Sequence, residues 1–409
     1  MKSTLLRAAA LVAALLPVLS PAASLSLEQV VALAVQRSDA ARSARHGAVG
    51  ASEAARAAGQ LPDPALRVGV DNLPISGGDR FSTRDAMTMK RIGVAQEWLP
   101  SEKRAARQAT AEAMVRREAV SVQLTEAEVR LQTGLAYVDA YFANEALKLA
   151  VQAEHHVHEE VAAAVGRMTS PAGSSQDVLA VTGARGIAED DTAEIRQQQA
   201  AARVALERWV GIRIDELTPP DGWGVPDERK YVAAHPRVAA ARRDLELARK
   251  EVDMASADRN PNWSWEISYG QRAGNPDMIS FGVSIPLPVA RAQRQDRDVA
   301  SRLALAEKVD ADLAEATRMA TGEYRALASD ASRLRERIDR FRISVVATAQ
   351  QRTASALAGY RSNQTPLMVL FDARHAEVEA QRKLLNLQRD LARTELQLAF
   401  KPLAEGGAE

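Results

Sequence analysis

Trp263-Ser-Trp-Glu-Ile-Ser-Tyr-Gly-Gln-Arg-Ala-Gly-Asn-Pro-Asp-Met-Ile-Ser-Phe-Gly-Val-Ser-Ile285 is the stretch that decides the fold of this chain. Trp263, Trp265, Ile267 and Tyr269 alternate with Ser264, Glu266, Ser268 and Gly270. Ile279, Phe281, Val283 and Ile285 alternate with Ser280, Gly282 and Ser284. A period of two means extended strands whose side chains leave on opposite faces. One face is apolar and aromatic and the other small and polar, as in a sheet standing between hydrocarbon and water. An earlier stretch has the same form. Leu66, Val68 and Val70 alternate with Arg67, Gly69 and Asp71, and Ile92, Val94, Gln96 and Trp98 face away from Arg91, Gly93 and Glu97. The side chains expected against lipid are Trp263, Trp265, Ile267, Tyr269, Phe281 and Val283. The alternative is a soluble hairpin pair leaning on a core of its own, and the flanking helical segments offer none that is obvious.

Four strands cannot close a barrel, and open edges cannot face lipid. Strands that span a membrane must therefore be pooled between chains. Three chains supply twelve strands, an even number within the usual range of about 8 to 26. A homotrimer is the expectation.

On either side of the strands lie long helical segments. Ser101 to Gly166 contains no proline, and Val120, Leu124, Ala127, Leu131, Leu135, Val138, Phe142, Ala146 and Leu149 recur mostly at steps of three and four. Arg291 to Ala358 shows the same spacing, from Val299 and Leu303 through Ile338, Phe341 and Val345. That is a coiled-coil seam. Each segment, if continuous, is about 100 Å long, where an ordinary helix has about 11–12 residues. Gly134 and Gly322 leave open a division into shorter helices.

The chain is one unit written twice: a helical opening, a proline break, a strand pair, a long helix, a polar tip and a shorter helix. Gly93-Val94 matches Gly282-Val283, and Val178-Leu179 is matched to Val369-Leu370. The first repeat is placed at 25–212, with a hairpin about 64–98, a long helix about 101–167 and a tip about 168–176. A linker follows at 213–230, around Thr218-Pro-Pro-Asp-Gly-Trp-Gly-Val-Pro226, a composition that breaks helices. The second repeat is placed at 231–400, with a hairpin about 262–288, a long helix about 291–358 and a tip about 359–367, before a tail at 401–409.

Composition narrows the function. Basic and acidic residues number 53 each, so the chain lacks the basic surplus of a nucleic-acid binder. Residues 1–24 read as an export signal: Lys2 and Arg7, an apolar stretch Ala8 to Leu19 too short to span ~30 Å of hydrocarbon, then small residues. Cysteine is absent, so neither a disulfide nor a lipid-bearing cysteine is expected, and the chain is read as not lipidated. No nucleophile elbow, phosphate-binding glycine loop or zinc-protease helix is visible, and Gly222-Trp-Gly224 has no helix signature behind it. Neither an enzyme nor a cofactor is expected.

Over about 25 to 400 the arrangement resembles the TolC family of outer-membrane factors. Two segments carry the resemblance: the helical entry His235-Pro-Arg-Val-Ala-Ala-Ala-Arg-Arg-Asp-Leu-Glu-Leu-Ala-Arg249, and Ala358-Gly-Tyr-Arg-Ser-Asn-Gln-Thr-Pro-Leu-Met-Val-Leu-Phe-Asp-Ala373. The resemblance implies a mainly α trimer in which a long α-helical coiled-coil barrel continues a 12-strand transmembrane β-barrel. It implies a passive export duct in the outer membrane and periplasm, served by a periplasmic adaptor and an inner-membrane pump. Tyr360 matches the tip tyrosine, and Asn363 stands where the family has glycine. Asp372 matches one aspartate of an acidic constriction whose second position is Val369 here. Gate and adaptor contacts are accordingly expected at Gly173, Ser174, Ser175, Asp177 and Leu179, and at Tyr360, Asn363, Thr365, Leu370 and Asp372.

Asp63-Pro64, Val70-Asp-Asn-Leu-Pro74 and Met87-Thr-Met-Lys-Arg-Ile-Gly-Val-Ala-Gln96 look like the first hairpin of the heavy-metal branch, the cobalt–zinc–cadmium type. That implies metal cargo and a resistance-nodulation-division (RND) pump. Drug efflux or type I secretion through the same fold, and a periplasmic coiled-coil adaptor or scaffold, are the alternatives. His155-His156-Val157-His158-Glu159-Glu160 puts His155, His158 and Glu159 at helical spacing for one metal ion, or else forms a solvated coiled-coil face.

Overall fold

The computed structural model describes residues 25–403 apart from 79, 169–174, 215 and 221. The expected export signal, 1–24, lies outside the described residues.

Ser26 opens α1 (Leu27–Arg37) with a reciprocal cap, its hydroxyl accepting from the Gln29 amide while the Gln29 side chain accepts from its own. Ser38 ends that helix and caps α2 (Asp39–Ala58). The proline break follows, then β1 (Ala65–Asp71) and β2 (Met89–Trp98). Beyond Pro100 runs α3 (Ser101–Arg167), 67 residues and about 100 Å in one helix. α4 (Ser175–Val210) returns along its lower half.

The second half starts inside the expected linker, with α5 (Glu228–Ala233) capped by Asp227. His235 precedes a proline, is held extended, and so separates α5 from α6 (Pro236–Ala257). Both halves thus open with a helix in two pieces. β3 (Trp263–Arg272) and β4 (Met278–Ser284) follow. A 3₁₀ turn, Arg291–Gln293, leads into α7 (Gln295–Phe341), a π turn (Arg342–Val346) and α8 (Ala347–Arg361), and α9 (Leu367–Phe400) returns. The expected second long helix is therefore one rod carrying a π turn.

The upper part of α3 packs on α2 and α6, through Arg45–Glu126 and Arg116–Glu246 pairs, and its lower part on α4 and α9. Gly134 does not break α3. A Cβ there would lie 2.8 Å from Leu396 Cδ1, so the glycine lets α9 approach closely. Around this level Val30, Val138, Val210 and Leu396 are fully buried, each worth ~1.5–3 kcal/mol of apolar burial. Tyr137 anchors the crossing: its hydroxyl lies 2.9 Å from Leu25 O and 2.8 Å from Thr218 O, tying the chain's first described residue to the linker.

The four strands form one antiparallel sheet in the order β1-β2-β3-β4. The two halves join through β2 and β3, the longer strands, and β1 and β4 are its edges.

One register anchor moves. Leu367, Leu370 and Ala373 are buried in α9, as Val181 and Ala184 are in α4, with Val178 packed beside them. Val178 thus corresponds to Leu367, two positions earlier than the expected match. Gly93 and Gly282 are 189 positions apart, and so are Val178 and Leu367.

Candidate functional site: a two-faced sheet and a helical tip

Register partners in the sheet share a face, so each rung can be read across all four strands. Val68, Ile92, Tyr269 and Ile279 make one rung, and Leu66, Val94, Ile267 and Phe281 the next. The rungs that alternate with them lie on the opposite face: Arg67, Gly93, Ser268 and Ser280 between the two, and Gly69, Arg91, Gly270 and Met278 beyond the first. On the two central strands the apolar side is the open one. Ile92, Val94, Ile267 and Tyr269 are exposed, whereas Gly93, Ala95, Ser268 and Gly270 are buried. Phe281, on the edge strand, is 70% exposed.

This inverts a soluble sheet, which hides its apolar face. It removes the reading of these strands as hairpins on a soluble core. The small-polar face is also tightly built. A Cβ on Gly93 would lie 2.6 Å from Ser268 Cβ, and Met89 Sδ fills the place a Cβ of Gly270 would take. Arg67 reaches Glu266 at 2.8 Å and Arg91 reaches Asp71 at 3.3 Å across that face. Of the residues expected against lipid, Ile267, Tyr269, Phe281 and Val283 are exposed. Trp263 and Trp265 are half-buried, Trp263 packing on Trp98 with ring centroids 5.9 Å apart.

At the other end α8 closes in a Schellman turn. Gln364 donates to Gly359 O at 2.8 Å and Asn363 to Tyr360 O at 3.1 Å, with Asn363 left-handed at φ 60°. Asparagine tolerates that conformation, as the substitution for glycine requires. Leu370 is 2% exposed and packs with Leu367 and Ala373 against Ala164, Val181 and Ala356; Tyr360 borders them. Ser175, Leu179, Asn363 and Asp372 are exposed, and Thr365 is half-buried, donating to Ala356 O at 3.4 Å. Asp177 lies in the first turn of α4, and Gly173 and Ser174 lie outside the described residues.

The histidines spread over two carboxylates. His155 and His156 lie 3.4 and 3.3 Å from Glu159, while His158 turns to Glu189 on α4 at 3.1 Å. The hydrogen bond from His156 is the main reason the Glu159 carboxyl is held below its usual range. Among the described residues no three His, Cys, Asp or Glu side chains are placed to hold a metal ion.

One pair near the tip was not foreseen. Glu160, 4% exposed, is held at 2.6 Å by Arg374, linking α3 to α9. Burial pushes the Glu160 carboxyl up despite that guanidinium. The pair borders a groove of about 720 Å³ between α3, α4 and α9, whose apolar walls include Val157, Leu179, Ile187 and Phe371. The partners are 214 positions apart, and nothing local marks Arg374 as the mate of Glu160.

No protein-family profile and no curated protein matches this sequence. Solved structures do match. The outer-membrane channel OprN superposes with a TM-score of 0.75 at 18% identity, over 92% of this chain and 90% of that one. The outer membrane protein VceC of Vibrio cholerae gives 0.75 at 18%, over 92% and 96%. The CmeC outer membrane channel of Campylobacter jejuni gives 0.77 at 12%, over 93% and 87%. At such identities the likeness is one of fold: this chain has the mainly helical fold, with one small sheet, of an outer-membrane channel protomer.

Proposed function

We propose that this chain is one protomer of a homotrimeric outer-membrane export duct, the channel component of a tripartite efflux system, whose cargo is heavy-metal cations. The observation that carries the reading is the inverted sheet with two open edges. It belongs in lipid, and lipid forbids the edges unless other copies cover them. Three copies close twelve strands, with the exposed Arg67 and Ser280 of the small-polar face turned to water inside. The long helices continue the duct through the periplasm, and residues 1–24 serve as the export signal. The two repeats, 25–212 and 231–400, each supply half of the protomer's wall.

The duct is passive, no enzyme, and the pump supplies the energy. A periplasmic adaptor meets the tips; the exposed Leu179 and the apolar groove beside Glu160 and Arg374 support that placement. The tips act as an iris, with Tyr360 and Asp372 as closing contacts. Replacing both should raise the conductance of purified trimers in a bilayer, and unchanged conductance counts against the iris.

Cargo and duct are tested together in a deletion strain, with and without the gene restored. Growth is compared across zinc, cadmium, cobalt, nickel, copper, silver and a drug panel. Selective metal hypersensitivity supports the metal reading, and sensitivity to drugs alone overturns it while leaving the duct. Protein that stays in the aqueous fraction without detergent sinks the duct itself.

A further inference from the structure

We propose that the segment following β4, with the arginines behind it, holds the headgroup of an anionic phospholipid in the membrane leaflet on the helical side. The inference rests on the sheet being membrane-spanning and adds which lipid the protein selects, and where. The apolar series of β4 does not stop with the strand. Ile285, Leu287 and Val289 continue it at 58, 78 and 95% exposure, Val289 being the barest large apolar side chain among the described residues.

A neighbouring strand does not account for this exposure. Pro286 and Pro288 have no amide to offer a ladder, and the Val289 amide donates back to Leu287 O at 2.9 Å. With the backbone withdrawn from pairing, hydrocarbon is the occupant that suits these side chains.

Charge then sets the headgroup. The 3₁₀ turn Arg291–Gln293 comes next, opened by Arg291 and followed at once by Arg294. Both are exposed. Arg294 makes no ion pair among the described residues. Arg291 lies 3.8 Å from Asp296, a carboxylate already held by Arg259 at 3.0 Å. The two carboxylates that line the cavity beside Arg294 are engaged: Asp258 with Lys103 at 3.1 Å, and Glu97 with the Asn262 amide at 2.7 Å.

Arg294 and Leu287 line one cavity of about 550 Å³ together with Trp263. The Trp98–Trp263 pair sets the height, because tryptophan rings settle at the headgroup level. Acyl chains therefore meet Leu287 and Val289 while a phosphodiester meets a guanidinium whose fork matches it. Arg294, with no ion pair of its own among the described residues, favours at that level a lipid of net negative charge over a zwitterion.

The test is made on the full mature protein in nanodiscs of phosphatidylcholine, with and without phosphatidylglycerol, counting retained lipids by native mass spectrometry. The wild type should retain phosphatidylglycerol preferentially. Arg291→Gln with Arg294→Gln should lower that preference about tenfold, near the scale of one interfacial charge or two. Arg294→Gln alone, which breaks no ion pair, should lower it in part, and Arg294→Lys should keep most of it. Equal retention of both lipids by the wild type, or a preference indifferent to the double change, overturns the inference and leaves the membrane sheet standing. A protein that enters neither nanodisc overturns the membrane reading and this inference with it.

Discussion

Gly359 shows how a single residue shapes the tip. A Cβ there would lie 2.8 Å from Thr365 Oγ1 and 2.9 Å from its Cγ2, so the Schellman turn closes only over a bare Cα. Gly359→Ala should destabilise the tip by about 1–3 kcal/mol, the usual cost of overpacking. In a Thr365→Ala background the same change should cost little, and denaturation of all four proteins of that cycle reads the difference. An equal cost in both backgrounds would place the strain elsewhere. His235 makes a second residue-scale case. It is 1% exposed, faced by Tyr231, Glu323, Lys401 and Arg237, and burial holds its pKa below the ordinary value although Glu323 pulls upward. The unfolded chain therefore takes up this proton first. The contribution of His235 is complete above about pH 6.5 and is lost as the pH falls toward the folded value. The apparent melting temperature should drop on acidification below about pH 6.5, and His235→Gln should flatten that part of the curve. A curve unaltered by the change would remove His235 from the account.

At the scale of an element, β4 separates its two faces by one residue. Phe281→Arg, on the apolar face, should cost about 2–4 kcal/mol if that face meets mid-membrane lipid. Ser280→Arg, one step along on the small-polar face, should stay within about 0.5 kcal/mol. Guanidinium titration of the reconstituted protein distinguishes them, and equal costs would put both faces in one environment. The strands were legible in the sequence because a period of two and a choice of small residues are local facts. The start of α3 was legible for the same reason, since Pro100 and the spacing behind it need no tertiary knowledge. Neighbours remote in sequence were not. The letters Val-Leu recur at 178 and 369, yet burial pairs Val178 with Leu367, because helical phase is set by what packs against the helix. The Glu160–Arg374 tie between α3 and α9 was hidden for the same reason. Arg374→Met should cost about 3–5 kcal/mol by stranding a buried carboxylate, and Glu160→Gln in that background should recover much of it. No recovery would mean that the guanidinium, not the pairing, was doing the stabilising.

For the whole molecule the sheet sets a condition that the helices do not. Each helical pair has internal partners, and Tyr137, Val138 and Leu396 are fully buried within one chain. The sheet has no such closure: its apolar face is largely exposed and its outer strands, β1 and β4, each keep an edge unpaired among the described residues. If three copies close it, strand structure and assembly are one equilibrium, and stability acquires a dependence on protomer concentration. Heating the protein in detergent should then abolish the strand signal and the trimer at one temperature, which rises with concentration. Helical signal should partly outlast both, because α3, α4 and α9 pack within the chain. Substituting Phe281→Arg should lower the shared transition without separating its two readouts. A monomer that keeps its full strand signal after the trimer has gone would show that four strands suffice, and the argument from edges to a pooled barrel would fall.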